Sequence, residues 1–254
     1  MNNLLLGLDT LPQDVLKEDG LEEYERNQAF FFRVLAELNV NIFIAERIIC
    51  FPYEELFSEG PFYHIFLGQV IDNALEMSIL LITKLATDDG KDVHTLTGFK
   101  NQLFNLTRPE YQQAICERLA AVRFDAQTQV LLRKAKEIRD QSLAHYLDDF
   151  FEASFNPTKK LVRLTLPEIQ KLRDVLNSLL HTLTINTDQQ WLPNEYVNGK
   201  PDIAAILELL ISTSYLLRMP QDDPKRWEYR RPKLSADQMT LLNSYRRQFG
   251  LKEG

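Results

Sequence analysis

An arginine and a histidine lie six positions apart near the middle of the chain, at Arg139 and His145. Arginine binds phosphate through two parallel hydrogen bonds, and histidine is the side chain that exchanges a proton near neutral pH. Together they suit cleavage of a phosphodiester bond, with His145 as general acid or base and Arg139 neutralising charge in the transition state. Asp140 directly follows Arg139 and can orient a side chain. These three residues form the candidate catalytic group.

The residues fall in a predicted helix from about Gln127 to Leu147, whose apolar positions share one face at about 100° per residue. This apolar stripe contains Leu131, Leu132, Ala135, Ile138, Leu143 and Tyr146. Arg139 falls inside the stripe and His145 at its edge, so the guanidinium is expected to face a packed interface. A buried charge without a partner is costly. An anion must therefore meet Arg139.

Two interpretations of that anion stay open. One is an internal ion pair with a carboxylate on the preceding apolar helix, predicted from Phe62 to Thr87, where Asp72 and Glu76 are the supporting carboxylates. Together with Gln69 and Thr83 they form a narrow polar band, which we expect inside the bundle because the rest of that helix is apolar. The other interpretation is a substrate phosphate.

The segment Ile138–Asp148 resembles the signature helix of HEPN-domain proteins, in which an arginine is followed by a polar residue and then by a histidine. Its ending, Ala144-His145 followed by Asp148, resembles the AbiU-like branch, named for abortive phage infection. Upstream, Gln69–Glu76 and Leu80–Asp88 are similar to the helix that precedes the signature helix in that branch.

This resemblance spans about residues 20 to 186 and implies an all-α fold, a HEPN-like antiparallel helical bundle. A C-terminal helical extension is predicted outside the resemblance. The resemblance also implies a homodimer and a metal-independent ribonuclease that uses no cofactor, with a possible antitoxin or other protein partner. Weaker substrate-binding candidates on the helix are Arg133, Lys136 and Tyr146. Some members of the family serve as binding modules, so a non-catalytic interaction or nucleotide-binding module is the alternative.

The net charge of −7 argues against a protein whose whole surface binds nucleic acid, so any RNA site must be local. Two clusters of basic residues are available, and a solvated surface explains each as well as RNA binding does. The first contains Arg118, Arg123, Arg133, Lys134 and Lys136, and the second contains Lys225, Arg226, Arg230, Arg231 and Lys233 beside Trp227 and Tyr229.

The two cysteines, Cys50 and Cys116, are too few for a disulfide framework and lack metal-ligand spacing. We expect both to be buried thiols in a reducing cytosol. The loop Thr87–His94 is expected to be a turn rather than a metal site. The N-terminus shows no signal peptide, and Phe62–Ala86 carries too many polar residues for a membrane span, so a cytoplasmic location is predicted.

Three segments are predicted along the chain: a mobile N-terminal segment over 1–20, the HEPN-like bundle over 21–186, and a linker with a helical extension over 187–254. Capping boxes at Thr165 with Glu168, and at Ser235 with Gln238, predict the starts of two late helices. Walker, G-x-G-x-x-G, H-E-x-x-H and G-x-S-x-G motifs are absent from the sequence, which disfavours the enzymes built on them.

Overall fold

A computed structural model describes residues 10–51, 61–87, 95–120, 124–140, 163–185 and 235–248, without the side chains of 61–66. These residues are mostly helical. The one pairing of extended backbone among them is an isolated bridge between Leu16 and Thr107. The predicted all-α class is confirmed for this part of the chain.

The described helices lie close to the predicted ones. They are α1 (Pro12–Val15), α2 (Leu21–Ile49), α3 (Pro61–Ala86), α4 (Leu96–Leu106), α5 (Gln112–Ala120), α6 (Ala126–Ile138), α7 (Leu166–Leu183) and α8 (Ala236–Gln248), with 3-10 turns at Glu18–Gly20 and Pro109–Tyr111. Helix α6 was predicted to reach Leu147, and residues 141–147 lie outside the described residues. Residues 139–140, which directly follow α6, are in a wider π-helical turn.

Both predicted capping boxes are confirmed. At the start of α7, the Thr165 backbone N–H donates to Glu168 Oε2 at 2.8 Å, and the Glu168 N–H donates to Thr165 Oγ1 at 3.4 Å. The hydrogen bond from the Thr165 backbone lowers the pKa of Glu168. Ser235 and Gln238 bond reciprocally in the same way before α8, at 3.0 and 3.2 Å. Each box satisfies backbone donors that the first helical turn leaves without partners.

The chain divides into two compact units, each made of two stretches of sequence. The first unit contains Met1–Ile42 and Ala74–Tyr196, and the second contains Phe43–Asn73 and Val197–Gly254. Residues 43–73 thus group with the C-terminal part of the chain, and the boundary after residue 186 stays a prediction.

In the first unit, α7 packs against α4, α5 and α6. Its buried residues recur at helical spacing and are Ile169, Leu172, Leu176, Leu179, Leu180 and Leu183. Helix α2 contributes Phe31, Leu35 and Leu38 to the same core, and the ring of Phe31 stacks on Phe99 with centroids 5.3 Å apart. Burial of these apolar faces is what holds the helices together.

Residues 12–20, expected to belong to a mobile segment, are instead attached to the core. Val15 and Leu16 are buried. The Lys17 N–H donates to the Leu106 carbonyl at 2.8 Å, the Arg108 N–H donates to the Val15 carbonyl at 2.9 Å, and Arg108 Nε donates to the Leu16 carbonyl at 2.8 Å. Backbone hydrogen bonds and two buried apolar side chains therefore attach this stretch to residues 106–108.

The polar band of α3 does not lie inside the protein as expected. Gln69, Asp72 and Glu76 are exposed, whereas Thr83 is buried. The Thr83 hydroxyl donates to the Leu80 carbonyl at 2.9 Å within its own helix. A hydroxyl can be buried when it bonds to the backbone of its own helix, but a buried carboxylate would lose much more hydration. Thr83 is therefore buried, while the carboxylates stay exposed.

Both cysteines are exposed, so the prediction of two buried thiols is wrong. Cys116 lies on α5, whose buried residues are Ile115 and Leu119. Those two positions are four apart and define the inner face of the helix, and Cys116 lies about 100° away from Ile115 around it. Cys50 follows the last residue of α2.

The segment Glu18–Ile49 is long and apolar enough to cross a membrane, by length and composition only. The core helix of a soluble protein meets the same criteria. Leu35, Leu38 and Ile42 of this segment are fully buried within the first unit.

Tyr24 connects α2 to the end of α7. Its side chain is fully buried, and its hydroxyl accepts a hydrogen bond from the Ile185 N–H at 2.7 Å. Burial raises the pKa of Tyr24 to about 12, because the phenolate would lose its hydration. Beside it, Arg118 Nη2 donates to the carbonyls of Thr184 at 2.9 Å and His181 at 3.3 Å. Two side chains thus satisfy backbone groups where α7 ends.

Replacing Tyr24 by Phe is expected to lower the free energy of unfolding by about 1–3 kcal/mol at pH 7, because the Ile185 N–H loses its acceptor. Above pH 10 the tyrosine of the unfolded chain ionises, while buried Tyr24 stays neutral up to about pH 12. Between pH 10 and 12 the free energy of unfolding of the parent therefore falls by up to about 3 kcal/mol through this ionisation. The Phe variant has no such loss. Urea unfolding at pH 7, 10 and 12 measures the difference in the free energy of unfolding between the two proteins. This difference should shrink as pH rises, and a constant difference would contradict the prediction.

Two buried asparagines on α2 provide a matched pair. Asn27 Nδ2 donates to Gln102 Oε1 at 3.1 Å, whereas the side-chain amide of Asn39 has no hydrogen-bond partner among the described residues. Replacing Asn39 by Leu should raise the free energy of unfolding by about 1 kcal/mol, because an unsatisfied amide is removed at similar volume. Replacing Asn27 by Leu should lower it by about 1–3 kcal/mol. Urea denaturation of the two variants checks the opposite signs.

Candidate functional site

The helix that carries the candidate site starts at Asp125. The carboxylate of this N-cap residue accepts a hydrogen bond from the Thr128 N–H at 2.6 Å, and that bond lowers the pKa of Asp125. Leu131, Leu132 and Ala135 are buried, so the predicted apolar stripe is confirmed over these positions. Cap and stripe together set which residues of α6 face inward.

Helix α6 is bound to α7 by side chains as well as by its apolar face. Lys134 Nζ lies 3.2 Å from Glu168 Oε1, the same residue that closes the capping box of α7. Lys171 Nζ donates to Gln127 Oε1 one turn further along α7. The candidate site therefore lies on a helix attached to the first two turns of α7.

Arg139 stands where the α-helical part of α6 ends. Its backbone N–H donates to the carbonyls of Ala135 and Lys136, and residues 139–140 form the π-helical turn. Wider turns of this kind within helices are frequent at functional sites. The side chain of Arg139 is only 19% exposed, which agrees with its predicted position in the apolar stripe.

Arg139 binds the carboxylate of its own neighbour in the chain. Arg139 Nε donates to Asp140 Oδ1 at 2.8 Å, and Nη2 lies 2.8 Å from the same oxygen. The predicted supporting carboxylates, Asp72 and Glu76, are exposed on α3. A partner one residue away is already held close by the backbone, so this pairing needs no alignment between helices.

Two of the weaker candidates, Arg133 and Lys136, lie on α6 outside its apolar stripe. Arg133 is exposed and Lys136 is half-buried. His145 and Tyr146 lie outside the described residues. The structure thus brings Arg139 and Asp140 together and places two further cations on the same helix, while the relation of Arg139 to His145 stays a prediction.

Two members of the first basic cluster have structural contacts that the sequence analysis missed. Arg118 binds the last carbonyls of α7, and burial lowers its pKa. Lys134 is paired with Glu168. Backbone carbonyls at a helix end carry no residue signature, although the C-terminal end of a helix favours a nearby cation. Arg123 and the second basic cluster lie outside the described residues.

Among the residues that the structure describes, no group of three or more His, Cys, Asp or Glu side chains is arranged to hold a metal ion. The loop Thr87–His94, which we expected to be a turn, lies outside those residues apart from Thr87.

Comparison of the chain with protein-family models, curated proteins and solved structures gives no match. The resemblance to HEPN-domain proteins therefore depends on the residues of Ile138–Asp148 and of the upstream helix.

Replacing Arg139 by Gln is expected to change the free energy of unfolding by less than about 1 kcal/mol, because ion pairs with a solvent-exposed partner contribute little. Asp140 is 45% exposed. Arg173 on α7 offers a matched control, because its Nε donates to Asp174 Oδ1 at 2.9 Å in the same neighbour arrangement. Urea unfolding of Arg139→Gln and Arg173→Gln should give similar small changes. A loss above about 3 kcal/mol for Arg139→Gln alone would identify a buried structural ion pair.

Proposed function

We propose that the chain is a metal-independent endoribonuclease of a phage-defence or toxin–antitoxin type. The observation that carries the proposal is the position of Arg139, an inward-facing guanidinium at the end of an amphipathic helix. An acidic residue follows it and a histidine lies six positions on, which is the pattern that resembles the HEPN signature. The proposal includes a HEPN-like antiparallel bundle, a C-terminal helical extension and a cytoplasmic location.

In this proposal the ribose 2′-oxygen attacks the adjacent phosphorus and the 5′-oxygen of the next nucleotide leaves, giving a cyclic phosphate. His145 takes or gives a proton at one of these two oxygens. Arg139 neutralises the charge that builds on the phosphate oxygens, and Asp140 contacts Arg139. These steps need proton transfer and one cation, and both come from side chains.

A second copy of the chain completes the proposed site. Six residues along an α-helix correspond to about 120° of rotation, so Arg139 and His145 of one helix do not converge on one atom. Two copies related by a two-fold axis bring the arginine of one protomer towards the histidine of the other. The proposed partners are therefore a second protomer, the RNA substrate and an antitoxin or other regulatory protein.

Binding of RNA would depend on few phosphate contacts. The net charge is −7, and Arg118 and Lys134 are engaged in contacts within the protein. Arg133 and Lys136 are further cations on α6. We therefore expect affinity for RNA to fall with salt, with the modest slope of a small number of phosphate contacts.

A second candidate function is a non-catalytic interaction module. It is favoured by the contact between Arg139 and Asp140, since two donors of the guanidinium already bind a carboxylate of the same chain. In this role Arg139 would stabilise the turn at the end of α6, and the chain would cleave no RNA. A partner protein would then bind the surface that the nuclease proposal assigns to RNA.

Cleavage of single-stranded RNA by the purified full-length chain is expected to persist in EDTA and to stop when deoxyribose replaces the ribose at the cut site. Arg139→Ala and His145→Ala should each abolish cleavage and any toxicity on overexpression. Arg173→Ala, at the matched pair on α7, should retain both. Gel analysis of labelled RNA, with product ends identified by mass, measures the result.

A requirement for magnesium, or equal cleavage of DNA, would contradict the mechanism. Arg139→Ala and His145→Ala proteins that fold like the parent and stay equally active would contradict the site. If the purified parent protein cleaves no RNA while a protein partner binds it, the interaction module is the better assignment.

A further inference from the structure

Asp140 occupies one edge of the Arg139 guanidinium. The Nε and Nη2 donors both lie 2.8 Å from Asp140 Oδ1. A guanidinium binds phosphate in bidentate fashion through two adjacent donors, and Nε with Nη2 is one of the pairs that can do so. A phosphate that takes this edge must displace the carboxylate.

We propose that Asp140 is a built-in competitor for the RNA phosphate, holding Arg139 when no RNA is bound and lowering the affinity of the site. The inference rests on the proposed function and adds a regulatory role to the same site. It changes the role of Asp140 from orienting a catalytic side chain to restraining the phosphate-binding arginine.

The different exposure of the two side chains supports exchange of the anion. Arg139 is 19% exposed, whereas Asp140 is 45% exposed. The carboxylate can therefore rotate towards water and regain hydration, while the guanidinium stays facing the packed side of α6. An incoming phosphate then replaces one anion with another, so the guanidinium is never left without a counter-charge.

The net charge of the Arg139 and Asp140 pair also supports the competitor role. With Asp140 bound, Arg139 and its partner present no net charge to a polyanion. Loss of the carboxylate charge makes this pair more positive by one unit, which favours a polyanion. Ion pairs with an exposed member are weak, so Asp140 should lower the affinity for RNA only slightly. Removing its charge should tighten RNA binding about two- to fivefold.

Helix α7 contains a matched control. Arg173 and Asp174 are also adjacent in sequence, and Arg173 Nη2 lies 2.8 Å from Asp174 Oδ1. The exposed fractions of the two side chains, 21% and 61%, are close to those of Arg139 and Asp140. The two pairs share their local chemistry, but only Arg139 belongs to the proposed site. Asp174→Asn thus changes the net charge by the same amount without touching that site.

The test uses the full chain and a short single-stranded RNA carrying 2′-O-methyl groups, which lacks the nucleophilic hydroxyl and is not cut. Fluorescence anisotropy gives the Kd for the parent, Asp140→Asn, Asp174→Asn and Arg139→Gln at one fixed salt concentration. We expect Asp140→Asn to bind about two- to fivefold more tightly and Asp174→Asn to bind like the parent. Combining Asp140→Asn with Arg139→Gln should remove the gain, because the competitor acts only through Arg139. Asp140→Ser replaces Asp140→Asn if the latter does not melt cooperatively.

The outcomes separate this inference from the proposed function. If Arg139→Gln weakens RNA binding but neither Asp140 variant strengthens it, the competitor role is overturned and the RNA site remains. Equal tightening in Asp174→Asn also overturns it, since the effect is then one of net charge alone. If Arg139→Gln binds RNA like the parent, the proposed RNA site fails, and the competitor role fails with it.

Discussion

The first compact unit depends on the burial of one face of α7. Six apolar residues of this helix are buried, and α4, α5 and α6 all pack against it. Its two ends are held by different chemistry: a capping box at Thr165 and Glu168, and the side chains of Tyr24 and Arg118 at the other end. Because backbone groups at both ends have partners, the apolar face can be buried along its full length without leaving those end groups unpaired.

The candidate site takes its position from this helix. Glu168 closes the cap of α7 and also binds Lys134, so the start of α7 and the middle of α6 share one carboxylate. Arg139 lies at the end of α6, and most of its side chain is shielded from solvent. The position of the arginine therefore follows from the packing of α6 on α7, whatever ligand it serves.

The contact between Arg139 and Asp140 is compatible with both candidate functions, and its meaning depends on how firmly the carboxylate is held. A fixed pair would stabilise the π-helical turn and leave little for a phosphate to bind. An exchangeable pair would keep the arginine neutralised until an anion arrives. Nearly half of the Asp140 side chain is in contact with solvent, which makes exchange the less costly of the two for the carboxylate.

Helix positions, capping boxes and the apolar stripe of α6 were predictable from sequence, because each depends on residues within a few positions of one another. Only the tertiary structure decided the exposure of Asp72 and Glu76 and the attachment of residues 12–20. Arg118 and Lys134 belong with these, since their partners lie 66 and 34 positions away. Such contacts join distant residues, and several use backbone carbonyls that every residue type provides, so periodicity and motif spacing contain no record of them.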